Sequence, residues 1–536
     1  MFSYLRFPVF FQFLFLISFI SVAQTLTKSN LPIVIINTNG QFISDSPKII
    51  ADFGIIWNGP GKQNSINDAM NDFKGKIGIE IRGSSSQMFP KKSYGFETKS
   101  LDLVTTDTTL LGLPKENDWI LYAPYTDKTM IRDVLTYTLD ASLGHWSPRC
   151  RFVELILNDR YDGVYVLMEK IKRNKNRVDI AKLTTTDISG NNLTGGYIVK
   201  IDKTTGRPTD GWTSDYLNIA GKTYYQYDYP EPDVITREQK SFIQAWIRNM
   251  ETSLNYAKYT GPGNYHEFLN DTSFIDFMII NELAKNIDGY RLSSYLYKGK
   301  NDLLNCGPIW DFNLGYGNAD YGNAWTTDGF EYQVNLGGDN WQNPFWWIKL
   351  AQDKEYMKKL ITRWQLLRKE QLSNQRIAFV VDSLTNLLSE ATTRNYARWP
   401  IMGVKIWPNY YVGQSYVSEV NWMKDWINKR LIFLDQWWSP SYFGPEQPLE
   451  EKPVSVYPNP FSELLNVHLA STEFGKATVE IYGSSGLLIR KIDVDIKDDN
   501  RITLEFSENN QLKSGIYLLR IISYNKVILN EKVVKI

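Results

Sequence analysis

Residues 273–320 read SFIDFMIINELAKNIDGYRLSSYLYKGKNDLLNCGPIWDFNLGYGNAD. From Ser273 to Asn286 the apolar residues Phe274, Phe277, Met278 and Leu283 recur at helical spacing. The pattern stops at Asn286-Ile287-Asp288-Gly289. A strand-like run, Ser293 to Tyr297, follows, then a turn-rich connection, then Trp310-Asp311-Phe312-Asn313. Asp288 and Asp311 thus fall just past regular elements, joined by a hairpin-sized segment that could bring them together. Loops carried on rigid elements are where reactive groups collect.

Upstream, the sequence predicts mostly strands. Pro32 to Asn37 reads as a buried strand closed by Asn39-Gly40. KIGIEIRG, from Lys76 to Gly83, alternates with Ile77, Ile79 and Ile81 on one face. It breaks at Gly83-Ser84-Ser85-Ser86 and resumes at Lys91-Lys92-Ser93-Tyr94. Backbone N–H groups of such a loop can face an anion, with the lysines neutralising phosphate charge. The same pattern also describes a plain hairpin turn with exposed lysines. Asp118 to Tyr125 is strand-like. Thr126 makes a plausible N-cap for a helix from Asp127 to Leu143. Arg151–Leu157 and Gly163–Met168 read as a hairpin around Asn158 to Asp162, and Gly195–Asp202 as a further strand. From Thr204 to Tyr229 the sequence is polar and aromatic without a clear period. Arg237 to Tyr259 is helical, Gly337 to Trp347 a loop, and Lys349 to Trp438 mainly helical.

The chain has 536 residues, enough for more than one domain, with 59 basic and 59 acidic residues. That balance gives no electrostatic reason to expect a nucleic-acid partner. Its 17 Trp, 32 Tyr and 26 Phe fit either a large aromatic core or a surface that contacts sugars or proteins. Three histidines, His145, His266 and His468, lack metal-ligand spacing, which argues against a zinc site or a Ser-His-Asp triad. Cys150 and Cys306 allow one disulfide or two free thiols. At the N-terminus Arg6 is the lone charge, Phe7 to Val22 is almost wholly apolar, and Ser21-Val22-Ala23 precedes Gln24. This reads as a signal peptide over 1–23. No later run of about 20 apolar residues suggests a membrane span. Ser439 to Pro453 is rich in proline and glutamate and reads as a linker. From Val454 to Ile536 seven short strands split by turns suggest a small β-sandwich.

Four segments together resemble the CotH kinase family, named for a spore-coat protein. They are Arg82 to Ser86 with Pro90 to Tyr94; Asp127 to Arg132; Tyr161 to Tyr165 through Glu169-Lys170; and Asn281-Glu282 through Asp288-Gly289-Tyr290 to Trp310-Asp311-Phe312. The resemblance covers roughly 31–438. It implies an α+β fold, an atypical protein-kinase-like domain with a β-rich N-terminal lobe and a helical C-terminal lobe, ahead of the β-sandwich. It also implies ATP with Mg²⁺ or Mn²⁺. Asp311, with Asn313, then stands where the metal-binding residue falls, and Asp288 where the acceptor-orienting base falls. Arg82, Gly83, Ser84 and Ser85, with Lys91 or Lys92, become the phosphate-binding candidates. Glu169, at a strand end like a kinase hinge, becomes a nucleotide contact. One position departs from the protein-kinase pattern: Ser293 stands where a metal-binding Asn is expected. Asn286, Asn313 or Asn318 could supply the missing ligand.

Tyr457-Pro458-Asn459-Pro460-Phe461, Val479 to Tyr482 with Gly486-Leu487, and Ser514 to Tyr517 resemble the C-terminal sorting domain of the type IX (Por) secretion system. That implies export through the outer membrane, to the surface or beyond, with the secretion machinery as a partner. The expected activity is a secreted kinase acting on Ser/Thr of surface or extracellular proteins. A non-catalytic surface or adhesion protein on the same scaffold is the alternative. A carbohydrate-active enzyme using paired carboxylates is a third reading.

Overall fold

The computed structural model describes residues 26–536 except 205–209, 219–220, 261–264, 337–338, 444–453, 470–475, 484–486, 496–500, 507–511 and 524–525. The signal peptide expected over 1–23 and most of the expected linker lie outside the described residues. By its contacts the chain divides into two units, Met1–Ser439 and Pro440–Ile536.

The alternating segment Phe73–Arg82 is a strand with Ile77 and Ile79 fully buried. It pairs antiparallel with Ile49–Ile56 and with Ser93–Lys99, and Arg82 faces Ser93 across the Gly/Ser loop. Asp118–Tyr122 and Arg160–Glu169 continue the sheet. Cys150–Leu157 pairs with Arg160–Glu169, and Ile33–Asn37 joins it in parallel while pairing antiparallel with Ile49–Ile56. Seven strands thereby close into a barrel, and closure removes the free edges of the sheet. Asn158 and Asp159 take φ of 50° and 61°, which a two-residue hairpin turn of this hand requires. Arg160–Glu169 is buried along nearly its whole length. Tyr165 and Leu167 fill the barrel, while Val164, Val166 and Met168 meet the helical core. This explains the unbroken apolar run there.

The helix expected from Asp127 starts later, as Arg132–Ser142. The Asp127 carboxylate accepts the N–H of Thr129 at 3.0 Å and of Arg132 at 2.9 Å, building a separate turn first. Thr126 is therefore not the cap.

A second sheet has the strand order Gly211–Thr213, Tyr224–Tyr229, Tyr197–Ile201, Ser294–Lys298, Leu304–Cys306. Its first two strands fall in the stretch whose sequence shows no period. They are held by rings: Trp212 lies 5.1 Å from Tyr225 and 5.2 Å from Tyr227 between centroids. Helix Asp271–Ala284 is buried on nearly every side, packed against helices Arg132–Ser142, Phe345–Gln352, Lys354–Lys369 and Tyr416–Trp437; Arg237–Thr260 and Asn374–Arg398 complete the helical part. Cys150 and Cys306 are free thiols, and burial pushes both well up from the ordinary thiol range.

Among its described residues the second unit is β-structured after a short 3₁₀ turn at Pro440–Phe443. Val454–Tyr457, Leu464–Leu469 and Arg501–Glu505 form one sheet, and Leu488–Asp495, Lys476–Gly483, Gly515–Ser523 and Lys526–Lys535 the other. Leu465, Val467, Val479, Ile481 and Leu519 share one core between them. No helix among the described residues is long and apolar enough to cross a membrane.

Candidate active site

Helix Asp271–Ala284 begins at the Asn270 side chain, which accepts the N–H of Thr272 and Ser273, and ends at Lys285 in a left-handed turn with φ 44°. The Lys285 ammonium donates to the carbonyls of Asn323 (2.8 Å) and Asp328 (2.6 Å), tying the helix end to the 323–328 loop. The chain then turns through Asn286 to Gly289. Here the Asn286 amide donates to the carbonyl oxygen of Asp311 at 3.1 Å. The two acidic segments singled out in the sequence are thus joined directly.

Asp311 itself has φ 62°. A left-handed residue other than glycine is uncommon and collects at functional positions, and Asp tolerates it better than most. The strain is held by a second layer. The Phe312 N–H donates to Asp133 at 2.6 Å, and the Asp311 N–H donates to the Tyr137 hydroxyl at 3.1 Å. Arg132, on the same helix, donates to the Gly315 carbonyl at 3.1 Å and also pairs with Asp127. The segment Asp127 to Arg132 therefore clamps the acidic loop from behind. Asp133 is a residue the sequence reading missed, although it directly follows a quoted motif.

Burial and the nearby charges of Asp288 and Asp202 push the Asp311 carboxyl up to about 7, against the pull of Arg82 and Lys203. Asp311 thus feels three other carboxylates, Asp288, Asp202 and Asp133, and two cations, Arg82 and Lys203. Asp202 comes from the end of strand Tyr197–Ile201 and was not foreseen. Burial raises its carboxyl too, opposed by the N–H groups of Lys203 and Ser293 that it accepts. Ser293, with φ 51°, turns its backbone toward Asp202. Arg82 stacks over the Trp310 ring at 5.7 Å, next to Asp311 in sequence. Asp288 is held by Arg291 at 2.6 Å, and Arg291 also grips Asp339 at 2.7 Å. The Asn313 amide donates to the Asp311 carboxylate.

Lys91, Lys92 and Glu169 are engaged with other partners, and the Gly/Ser loop next to Arg82 is exposed. Lys91, expected beside phosphate, is buried and donates to the Val164 carbonyl (2.5 Å) and to Asn395 (2.9 Å), with the Tyr165 ring 4.9 Å away. Lys92 donates to the Gln87 carbonyl at 2.5 Å, so it closes the loop rather than reaching outward. The loop folds into a short 3₁₀ turn at Ser85–Met88, and Gly83 takes φ 108° where Ser86 Oγ would meet any Cβ. Gly83, Ser84 and Ser85 are exposed. Glu169 ends its strand as expected, but its carboxylate is buried and paired with Arg149 at 2.8 Å.

Among the described residues no three His, Cys, Asp or Glu side chains form a ready-made metal cage. Mg²⁺ does not need one: it is usually held by one or two carboxylates with phosphate and water completing its shell. Asp311, raised by burial and then by the neighbouring carboxylates, has the chemistry such an ion favours.

The family model described as CotH kinase protein matches residues 79–434, well over half of the chain. A second, described as a secretion system C-terminal sorting domain, matches residues 455–535. Among curated proteins no sequence matches. Among solved structures, a DUF3244 family protein with an immunoglobulin-like β-sandwich fold, from Bacteroides vulgatus, is similar at 18% identity over 15% of this chain and 78% of that one, with a TM-score of 0.12.

Proposed function

The chain belongs to the CotH kinase protein family, and from that premise we propose that it transfers the terminal phosphoryl group of ATP to Ser/Thr hydroxyls of surface or extracellular proteins. Its sorting domain directs export by type IX secretion, to the cell surface or beyond. The observation that carries the reading is the Asn286 side chain, which donates to the Asp311 carbonyl at 3.1 Å and accepts the Asp288 N–H at 3.4 Å, with Arg82 over the Trp310 ring next to Asp311.

Each group has a part. Asp311, with Asn313, would hold a divalent cation, which when bound neutralises charge on the phosphates. Arg82, beside Asp311 and fixed on Trp310, would meet phosphate oxygens in place of the sequestered Lys91. Asp288 would accept the acceptor hydroxyl's proton as its oxygen bonds to phosphorus and ADP leaves, with Arg291 fixing the carboxylate. Asp133, Tyr137 and Asn286 position Asp311 through its backbone and that of Phe312.

A second reading, a non-catalytic surface protein, draws on Ser293. A serine replaces the expected Asn, and its backbone N–H lies toward Asp202. One experiment separates the two. The full-length protein is incubated with labelled ATP, Mg²⁺ or Mn²⁺ and a generic acceptor protein. Label transfer that Asp311→Ala abolishes supports the kinase; equal labelling by both proteins sinks it.

A further inference from the structure

Beside Asp288 lies a pair of aromatic rings that the phosphotransfer reading does not use. Trp407 is 52% exposed. Its ring lies parallel to that of Tyr321, with centroids 6.2 Å and planes 13° apart. Tyr321 lies close enough to Asp288, and to the Arg291 that holds it, for both charges to act on its hydroxyl. The platform therefore borders the candidate base. At the rim, Lys405 and Asp320 pair at 2.9 Å, with Lys405 largely exposed. A second parallel pair, Trp325 and Tyr410, 5.1 Å apart and inclined by 10°, extends from the same segments, and Tyr410 is 48% exposed.

The backbone beneath these rings is already satisfied. The Asp320 N–H donates to the Pro408 carbonyl and the Tyr410 N–H to the Asn318 carbonyl, each at 2.8 Å. An extended polypeptide finds no open edge there on which to pair. What is offered is a flat apolar face bordered by groups that donate and accept hydrogen bonds. That is the complement of a sugar ring, whose C–H face stacks on an aromatic plane while its hydroxyls meet a polar rim.

We propose that the Trp407–Tyr321 stack is a binding subsite for a sugar ring, continued toward Trp325 and Tyr410 for a second one, so that the acceptor reaches Asp288 as a glycan-bearing molecule. The link to Asp288 rests on the phosphotransferase reading; the sugar binding does not.

The test is calorimetry on the full-length protein without nucleotide, using trisaccharides of glucose, mannose and N-acetylglucosamine. At least one should bind with a Kd of about 1 mM or tighter. Trp407→Ala should weaken it at least about tenfold, and Trp407→Phe by no more than about threefold. Lys405→Ala, a surface change that leaves the rings in place, should weaken it by about threefold. Asp311→Ala should bind the sugar as the wild type does while losing phosphoryl transfer, so the two readings fail separately. The proposal falls if the wild type binds none of the three sugars, if Trp407→Ala binds like the wild type, or if only a sugar-free Ser/Thr peptide shows dependence on Trp407.

Discussion

The side-chain amide of Asn286 reaches the carbonyl oxygen of Asp311 at 3.1 Å. Its own carbonyl oxygen accepts the Asp288 N–H at 3.4 Å. One residue at the end of a buried helix therefore spaces the two carboxylates assigned to base and metal ligand. Asn286→Ala should lower kcat by roughly 10²-fold, the scale of a small misplacement of reacting groups. The KM for ATP should change much less. Steady-state kinetics with a thermal melt as control checks this, and an unchanged kcat removes Asn286 from the positioning set.

Arg82 and Lys91 should separate cleanly. Arg82→Ala should weaken ATP binding about tenfold or more, because a charge-assisted contact to phosphate is lost. Lys91→Met should leave ATP affinity near that of the wild type and lower stability instead, since it leaves the Val164 carbonyl without its lysine donor. Calorimetric ATP titration of both variants decides which cation faces the nucleotide.

Glu282 and Arg430 form an ion pair at 2.9 Å with neither side chain exposed to solvent. Glu282 also accepts the N–H of Glu331 and Tyr332, and Arg430 donates to the Thr327 and Gly329 carbonyls. Arg430→Met leaves a buried carboxylate without its cation and should cost about 3–5 kcal/mol in chemical denaturation. Replacing both partners, as Glu282→Gln with Arg430→Met, should recover part of that loss.

His145 supplies a pH dependence remote from the candidate site. Burial works against its charged form, but the 2.9 Å contact with Asp276 and the nearby Asp140 outweigh this and raise its pKa. The folded state therefore binds the proton more tightly than the unfolded chain. That stabilisation is complete below the unfolded value near 6.5 and is lost as pH rises through the folded value. Relative to His145→Gln, the wild type should melt higher at pH 5.5 by roughly 1–3 °C, with the difference shrinking by pH 8.5. Melting curves of both proteins at the two pH values measure it.

Local patterns carried far into this fold. The alternation of Ile77 and Ile79, the helix ending near Asn286, and the strand from Ser294 follow from side-chain period and turn residues, which act over a few positions. The helix after Asp127 was misread because a carboxylate that looks like a first-turn residue instead builds its own turn with Thr129 and Arg132. Strands Gly211–Thr213 and Tyr224–Tyr229 show no period, since cross-strand ring packing rather than alternation holds them.

The candidate site divides in the same way. Sequence by itself determined the chain's family resemblance, its exported setting and the candidacy of Asp288 and Asp311, because those rest on residue types at short spacings. Only the tertiary structure decided that Asp202 bears on Asp311, that of the cationic candidates Arg82 stands beside the acidic loop, that Asp133 holds the Phe312 backbone, and that Lys91 is spent inside the molecule. Each of those facts depends on which faces of distant strands and helices meet, and burial and charge repulsion act through space rather than along the chain. The stretch 273–320 supplies the carboxylates; the barrel and the second sheet supply their surroundings.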